Sequence, residues 1–285
     1  MASQSPLSTL VLLIACYCFA ADIHPASAAD TTHTSSSISK IVVDDVGTFL
    51  RDGGSFFTSP LRFSGRQWLY TAGMAGGTVV LMMADEDLQE RLGRNTSSSL
   101  NDDFWDIPTS YGVVTYANGF SIATYLTGLL IGNDDIRITG RLLFESLSFS
   151  GLAVISIRYI AARSRPSSGE GAWKFNGFIW NNEIQSFPSG HTTVAFAFST
   201  VLAERIDNIW ARVGFYGMAS LAAYARVLNN KHWVSDVIAG AGLGLAAGLH
   251  VVSREKERAS QPSGGTSRLQ IHPSIGGIRL VYRLD

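Results

Sequence analysis

Six apolar stretches of helical length divide most of this chain, near residues 67–84, 111–132, 139–164, 191–205, 209–228 and 232–252. Runs of that length and composition fit helices that bury one face or more. Asn/Asp-rich loops such as Asn133-Asp134-Asp135 separate several of them. The expectation is an all-α bundle, and no internal repeat is evident. Charged residues make up only 16% of the chain and hydrophobic ones 46%, a balance that leans toward a membrane or very apolar helical protein. The net charge of -1 gives no footprint for nucleic acid.

The ends differ from the middle. Leu7 to Ala20 is apolar but short for a span, and Ala26-Ser27-Ala28 offers a small-residue cleavage site. Residues 1–28 therefore read as a signal peptide, with an uncleaved anchor or a lipidated Cys16 as alternatives. Both cysteines, Cys16 and Cys18, lie in this leader, so a mature chain would carry none. A polar tail and an amphipathic segment follow over 29–66. The segment carries Phe49, Phe56, Phe57 and Phe63, and lies either on a membrane or on the bundle. The helical bundle is expected over 67–253. In the tail, 254–285, Ile278, Leu280, Tyr282 and Leu284 alternate with Arg279, Val281 and Arg283, a strand pattern.

Residues 67–84 and 107–133 lack charge and are long enough to cross a bilayer. Six spans would place Arg137, Arg205, Arg254, Lys256 and Arg258 on the cytoplasmic side and the candidate site on the other. A cleaved leader would start the first span outside and invert that topology. Either the bundle is a globular exported domain, or one segment does not span, or the leader is misread.

Three clusters carry the chemistry: Arg158 to Pro166 (RYIAARSRP), Ser186 to His191 (SFPSGH) and Arg226 to Asp236 (RVLNNKHWVSD). In the first, Arg158 and Arg165 are seven residues apart, on nearly one face of a continuing helix. Two guanidiniums at a helix end can grip phosphate oxygens. A solvated basic helix end is the plainer reading, and Arg163, off that face, reads as a surface or anchoring residue. In the second, Pro188 stiffens a turn, Ser189 can cap a helix and Gly190 permits close backbone approach. The helix starting near His191 then offers its amides to an anion; an ordinary capped helix start fits equally. In the third, His232 and Asp236 are four apart on one helix face, so Asp236 can fix the imidazole tautomer. Asn229-Asn230 should break the preceding helix and let Arg226 point into the same site. A structural His–Asp pair is the alternative. Together the clusters hold four arginines, two histidines and one aspartate, a set suited to holding and attacking a tetrahedral anion.

At these residues the chain resembles the type 2 phosphatidic acid phosphatase / vanadium haloperoxidase superfamily. Its pattern is Lys, six residues, Arg-Pro; Pro-Ser-Gly-His; and Ser-Arg, five residues, His, three residues, Asp. This chain has Arg158 for the lysine and Ala225 for the serine. The resemblance implies a six-helix bundle, membrane-embedded or membrane-associated, and a phosphoric ester hydrolase. It also implies roles: His232 as nucleophile, Asp236 as its orienting group, and His191 as acid and then base. Arg158, Arg165, Arg226, Ser189 and Gly190 would hold the phosphoryl oxygens. No metal-ligand set is apparent and no cofactor is expected, so activity should survive chelators. The expected partners are a membrane and a phospholipid or isoprenoid phosphate substrate. The expected location is a bacterial cell envelope, with the site facing the periplasm.

Overall fold

The computed structural model describes residues 38–93, 102–181, 184–260, 269–274 and 277–282. The leader, its cleavage site and both cysteines lie outside the described residues. Nine α-helices are present among those described. They are α1 (Ile38–Thr58), α2 (Gly65–Met82), α3 (Asp85–Leu92), α4 (Asp102–Tyr111), α5 (Val114–Ile131), α6 (Asp134–Ala161), α7 (Gly190–Arg205), α8 (Ile209–Leu228) and α9 (Val234–Ser260). The chain divides into two compact units, one running to Val252 and one from Ser253.

Local sequence sets the helix ends. Ser64 and Gln67 form a reciprocal capping box that starts α2. Asn133 caps α6 by accepting from the Ile136 N–H at 3.0 Å, and Asn208 caps α8 by accepting from the Trp210 and Ala211 N–H groups. Two expected elements are corrected. The uncharged stretch 107–133 is not one helix, because α4 ends at Tyr111 and α5 begins at Val114. Gly112, in the turn between them, lies so near α7 that a Cβ there would stand 2.7 Å from the His191 carbonyl. The third apolar segment also stops early. It ends at Ala161, after which Ala162 turns left-handed at φ 42°.

The core of the first unit is helix on helix. Leu142, Leu143, Leu147 and Phe149 of α6 meet Val194, Ala197, Phe198 and Val201 of α7 and Val251 of α9. α7 and α9 approach unusually closely along a glycine seam. A Cβ on Gly240, Gly244 or Gly248 would come within 2.6, 2.5 or 2.6 Å of Ser189, Thr193 or Thr200 on the α7 side. Small residues at four-residue spacing let two helix backbones meet in this way. α1 is the amphipathic segment expected from the sequence, and its inner face packs on the bundle. Phe49 and Phe56 lie 5.1 and 5.9 Å from Phe149. Asp45 accepts from Arg137 and Tyr125 and stands 3.2 Å from Arg141 Nε as an ion pair.

Among the described residues, two helices, α6 and α9, are long and apolar enough to cross a membrane. The second unit holds the last turns of α9, laced by Arg254–Glu257 and Arg258–Glu255 pairs. It also holds an antiparallel hairpin, β1 (Leu269–Ser274) and β2 (Gly277–Tyr282), in which Leu269 pairs with Tyr282 and Ile271 with Leu280. The alternation read from the tail falls largely within β2.

Candidate active site

The seam sets one wall of the site. It brings the first turns of α7 and α9 together, and the Ser189 N–H donates to the Asp236 carbonyl at 3.0 Å. Ser189 occupies the N-cap position of α7, but its hydroxyl accepts from the Thr192 hydroxyl at 2.9 Å rather than from a backbone N–H. The first N–H groups of α7 have no intrahelical acceptor, and the helix dipole adds partial positive charge there. His191 stands in that turn.

Arg158 reaches the same place from the last turn of α6. Its Nε donates to the Pro188 carbonyl at 2.9 Å. Gly190 makes room: a Cβ at that position would stand 3.0 Å from Arg158 Nη2. The expected sharing of one helix face by Arg158 and Arg165 does not hold, because α6 has ended before Arg165. The loop beyond α6 returns Arg165 instead, and its Nη1 donates to the Lys231 carbonyl at 3.2 Å. Arg226 arrives from the end of α8. As Asn229-Asn230 predicted, the helix breaks there, with Asn230 left-handed at φ 53°. Asn230 N–H bonds to the Val227 carbonyl and Lys231 N–H to the Arg226 carbonyl, each at 3.0 Å, a Schellman closure. The buried Nε of Arg226 has no hydrogen-bond acceptor among the described residues.

His232 sits in the turn before α9 and is only 1% exposed. It is therefore not on the helix that carries Asp236, a second correction. Its Nδ1 lies 2.8 Å from the Ser186 carbonyl and 3.7 Å from Asp236 Oδ2. A carbonyl only accepts, so Nδ1 carries the proton and Nε2 keeps its lone pair. Asp236 acts one link away. It takes the Ser186 hydroxyl in a short hydrogen bond, the Trp233 N–H at 2.9 Å and Arg163 Nη1 at 2.6 Å.

Arg163 is the residue the sequence reading misplaced. It is fully buried, not superficial. Its Nε donates to the Ala172 carbonyl, Nη1 to Ser235 and Asp236, and Nη2 to Asp85. The rings of Phe175 and Trp233 each lie 5.6 Å from its guanidinium carbon. Ser186, Ser235 and Asp85 join the site through this network, and nothing in their spacing marked them.

Burial and the surrounding cations depress both histidines. His232 is pushed down to about 4 by burial first, then by Arg158 and Arg165, against the opposing pull of Asp236. His191 is pushed down to about 3 by burial, then by Arg226, His232, Arg158 and Arg165. At pH 7 two neutral imidazoles thus stand among three guanidiniums and a helix N-terminus, a setting that favours negative charge.

The helical unit is all-α, and its candidate site gathers two histidines, three arginines and a helix N-terminus. Residues 139–259 match the family model of the PAP2 superfamily. Among curated proteins, it is 43% identical over 65 residues to a lipid A 1-phosphatase of Porphyromonas gingivalis, covering 22% of this chain and 15% of that protein. It is 35% identical over 107 residues to a lipid A 1-phosphatase of Rhizobium etli, covering 37% of this chain and 45% of that protein. The matches thus span less than half the length of these relatives. Among solved structures, Aquifex aeolicus LpxE aligns with a TM-score of 0.45 and 21% identity, over 59% of this chain and 94% of that one. A transmembrane PAP2-type phosphatidylglycerolphosphate phosphatase from Bacillus subtilis aligns with a TM-score of 0.44 and 15% identity, over 75% and 96%.

Proposed function

We propose that this chain is a metal-independent phosphatase that removes phosphomonoester or diphosphate groups from lipids through a phosphohistidine intermediate. The observation that carries the reading is the convergence of Arg158, Arg165, Arg226 and the α7 N-terminus on His191 and His232. The phosphoryl oxygens are held by the three guanidiniums, the Gly190 amide and the Ser189 hydroxyl. That hydroxyl accepts from Thr192, so its own proton is free to point at the anion. His232 Nε2 attacks phosphorus as the ester P–O bond breaks, and His191 gives its proton to the departing alkoxide. Water then attacks phosphorus while His191 takes a proton from it. The P–N bond breaks and phosphate leaves. His191 is neutral in the free protein, so the bound dianion must supply the charge that protonates it.

Lipid substrates are supported by the surface near the site. Phe178 and Trp180 are 68% and 67% exposed and ring against Tyr159, near the end of α6. Trp180 and Tyr159 join an apolar body to a polar tip, which suits a lipid–water boundary, and Phe178 adds apolar area beside them. The candidates are phosphatidate, phosphatidylglycerol phosphate, isoprenoid diphosphates and a lipid A phosphate. The location we assign is a bacterial cell envelope, with the protein exported and the site facing the periplasm. A soluble exported acid phosphatase is the second reading, favoured by the 61% burial of the apolar window of α6.

A phosphate-release screen of the purified chain over lipid and soluble phosphoesters tests this. Release should persist in EDTA and be inhibited by vanadate competitively with substrate. His232→Ala should abolish release, and His191→Ala should reduce it roughly 10²- to 10⁴-fold, the usual worth of a general acid. Near-wild-type turnover by His232→Ala would sink the mechanism.

A further inference from the structure

We propose that α3 is a positioning brace for this site and that Asp85 is its operative residue, fixing Arg163 and Ser235 and, through them, Asp236 and the turn that carries His232. The inference rests on the phosphatase reading, and no part of α3 lies within the segment matched by the family model.

α3 is eight residues long and strongly charged, DEDLQERL. By composition it would be a solvated surface turn, yet three of its side chains each hold a different piece of the site. Asp85 Oδ1 accepts from the Ser235 N–H at 3.0 Å in the first turn of α9, and Oδ2 accepts from the Ser235 hydroxyl in a short bond. Glu86 Oε1 accepts from the Ala172 N–H at 2.9 Å in the loop that follows α6. Gln89 Nε2 donates to the Val227 carbonyl at 3.0 Å and to Asn230 Oδ1 at 2.6 Å, at the break that ends α8. Positions i, i+1 and i+4 lie on one side of a helix, so a single face of α3 gathers the loop, the break and the helix start.

Asp85 is the member of this face with the longest reach. Its carboxylate is 0% exposed, and a charge so buried persists only when it is paired. Its partner is Arg163, which spans two carboxylates with opposite ends of one planar fork: Nη2 to Asp85 at 2.8 Å and Nη1 to Asp236 at 2.6 Å. With Arg163 held by Asp85, Asp236 Oδ1 is occupied and Oδ2 is left for the Ser186 hydroxyl and the Trp233 N–H. Ser186 is also the residue whose carbonyl holds His232 Nδ1. Asp85 touches neither imidazole, so it acts by position alone.

The test compares the full-length wild type with Asp85→Asn, Ser235→Ala and Arg163→Lys. The measurements are phosphate release from dioleoyl phosphatidate in mixed micelles and backbone hydrogen exchange. Asp85→Asn keeps the shape but turns an amide toward Arg163. It should lower kcat about 30- to 100-fold with KM within about threefold, and speed exchange over Trp233 to Val237 at least about tenfold while α5 and α6 exchange as before. Arg163→Lys, which cannot bridge two carboxylates, should behave alike. Ser235→Ala is the milder variant should Asp85→Asn fail to fold, and should show the same kcat-selective loss at about fivefold. Unchanged kcat, a loss confined to KM, or a uniform rise in exchange through the bundle would overturn the brace. Local loosening in Asp85→Asn, in a protein whose wild type releases no phosphate from any lipid or soluble phosphoester of the screen above, would support the brace and overturn the phosphatase reading alone.

Discussion

Burial makes His232 a liability in acid. The unfolded chain takes up a proton at this side chain near pH 6.5, while the folded chain resists until about 4. A depressed histidine therefore contributes no pH dependence above about 6.5. It costs stability as pH falls below that, at up to about 1.4 kcal/mol per pH unit, until the folded form titrates near 4. Denaturant unfolding followed by circular dichroism between pH 7 and 4 should show this loss, and His232→Gln should flatten it. At this scale the sequence was readable where residue type alone carried the chemistry. Arg158, Arg165, Arg226, His191 and His232 were all identifiable from three short clusters, and the structure brings them together. Arg163 was not identifiable. Its reading depended on a helix continuing to Pro166, and the left-handed turn at Ala162 removed that helix. Asp236 was readable as a partner of His232 but not as one acting through Ser186, since only the folded turn before α9 separates the two.

The helices were legible where capping chemistry or apolar length marked them. The six apolar segments correspond to α2, α5, α6, α7, α8 and α9, with α6 starting five residues earlier and α9 ending eight residues later than expected. The break between α4 and α5 was hidden because it falls inside the uncharged stretch 107–133. α3 was hidden for the opposite reason, since a charged octapeptide looks like solvated surface. The seam between α7 and α9 is the element-scale feature on which the site depends. Gly244→Ala would place a methyl 2.5 Å from the Thr193 carbonyl and 2.8 Å from the Ala197 nitrogen. Overpacking of that kind costs about 1–3 kcal/mol. Because the same seam holds the first turn of α7, which carries His191, against the start of α9, the variant should lose phosphate release beyond what its lowered unfolding midpoint explains. Thermal unfolding and activity measured on the same preparation would separate the two effects.

At the level of the whole molecule, the outer surface is more telling than the core. α2 buries only Thr78 and Met82, while Trp68, Leu69, Tyr70, Val79 and Val80 are exposed. α1 likewise turns Val43, Val46 and Leu50 outward. Apolar area of this extent on a water-soluble surface marks a contact with membrane or protein. The membrane-facing reading predicts that the expressed chain stays in the membrane fraction through an alkaline carbonate wash and leaves it only in detergent. Release by osmotic shock without detergent would favour the soluble alternative.

The glycine seam also limits how the chain can be edited. Asp236 stands one helical turn before Gly240, so the carboxylate bonded to Ser186 and Arg163 and the first contact of the seam share one phase of α9. Each residue of an α-helix advances about 100° around its axis. A single amino acid inserted between Asp236 and Gly240 would leave the seam seated and swing the carboxylate a quarter-turn or more away from Ser186 and Arg163. Insertions there should be tolerated by the bundle and fatal to the chemistry. Length changes at the Asn229-Asn230 break would act differently, carrying His232 and Asp236 along together.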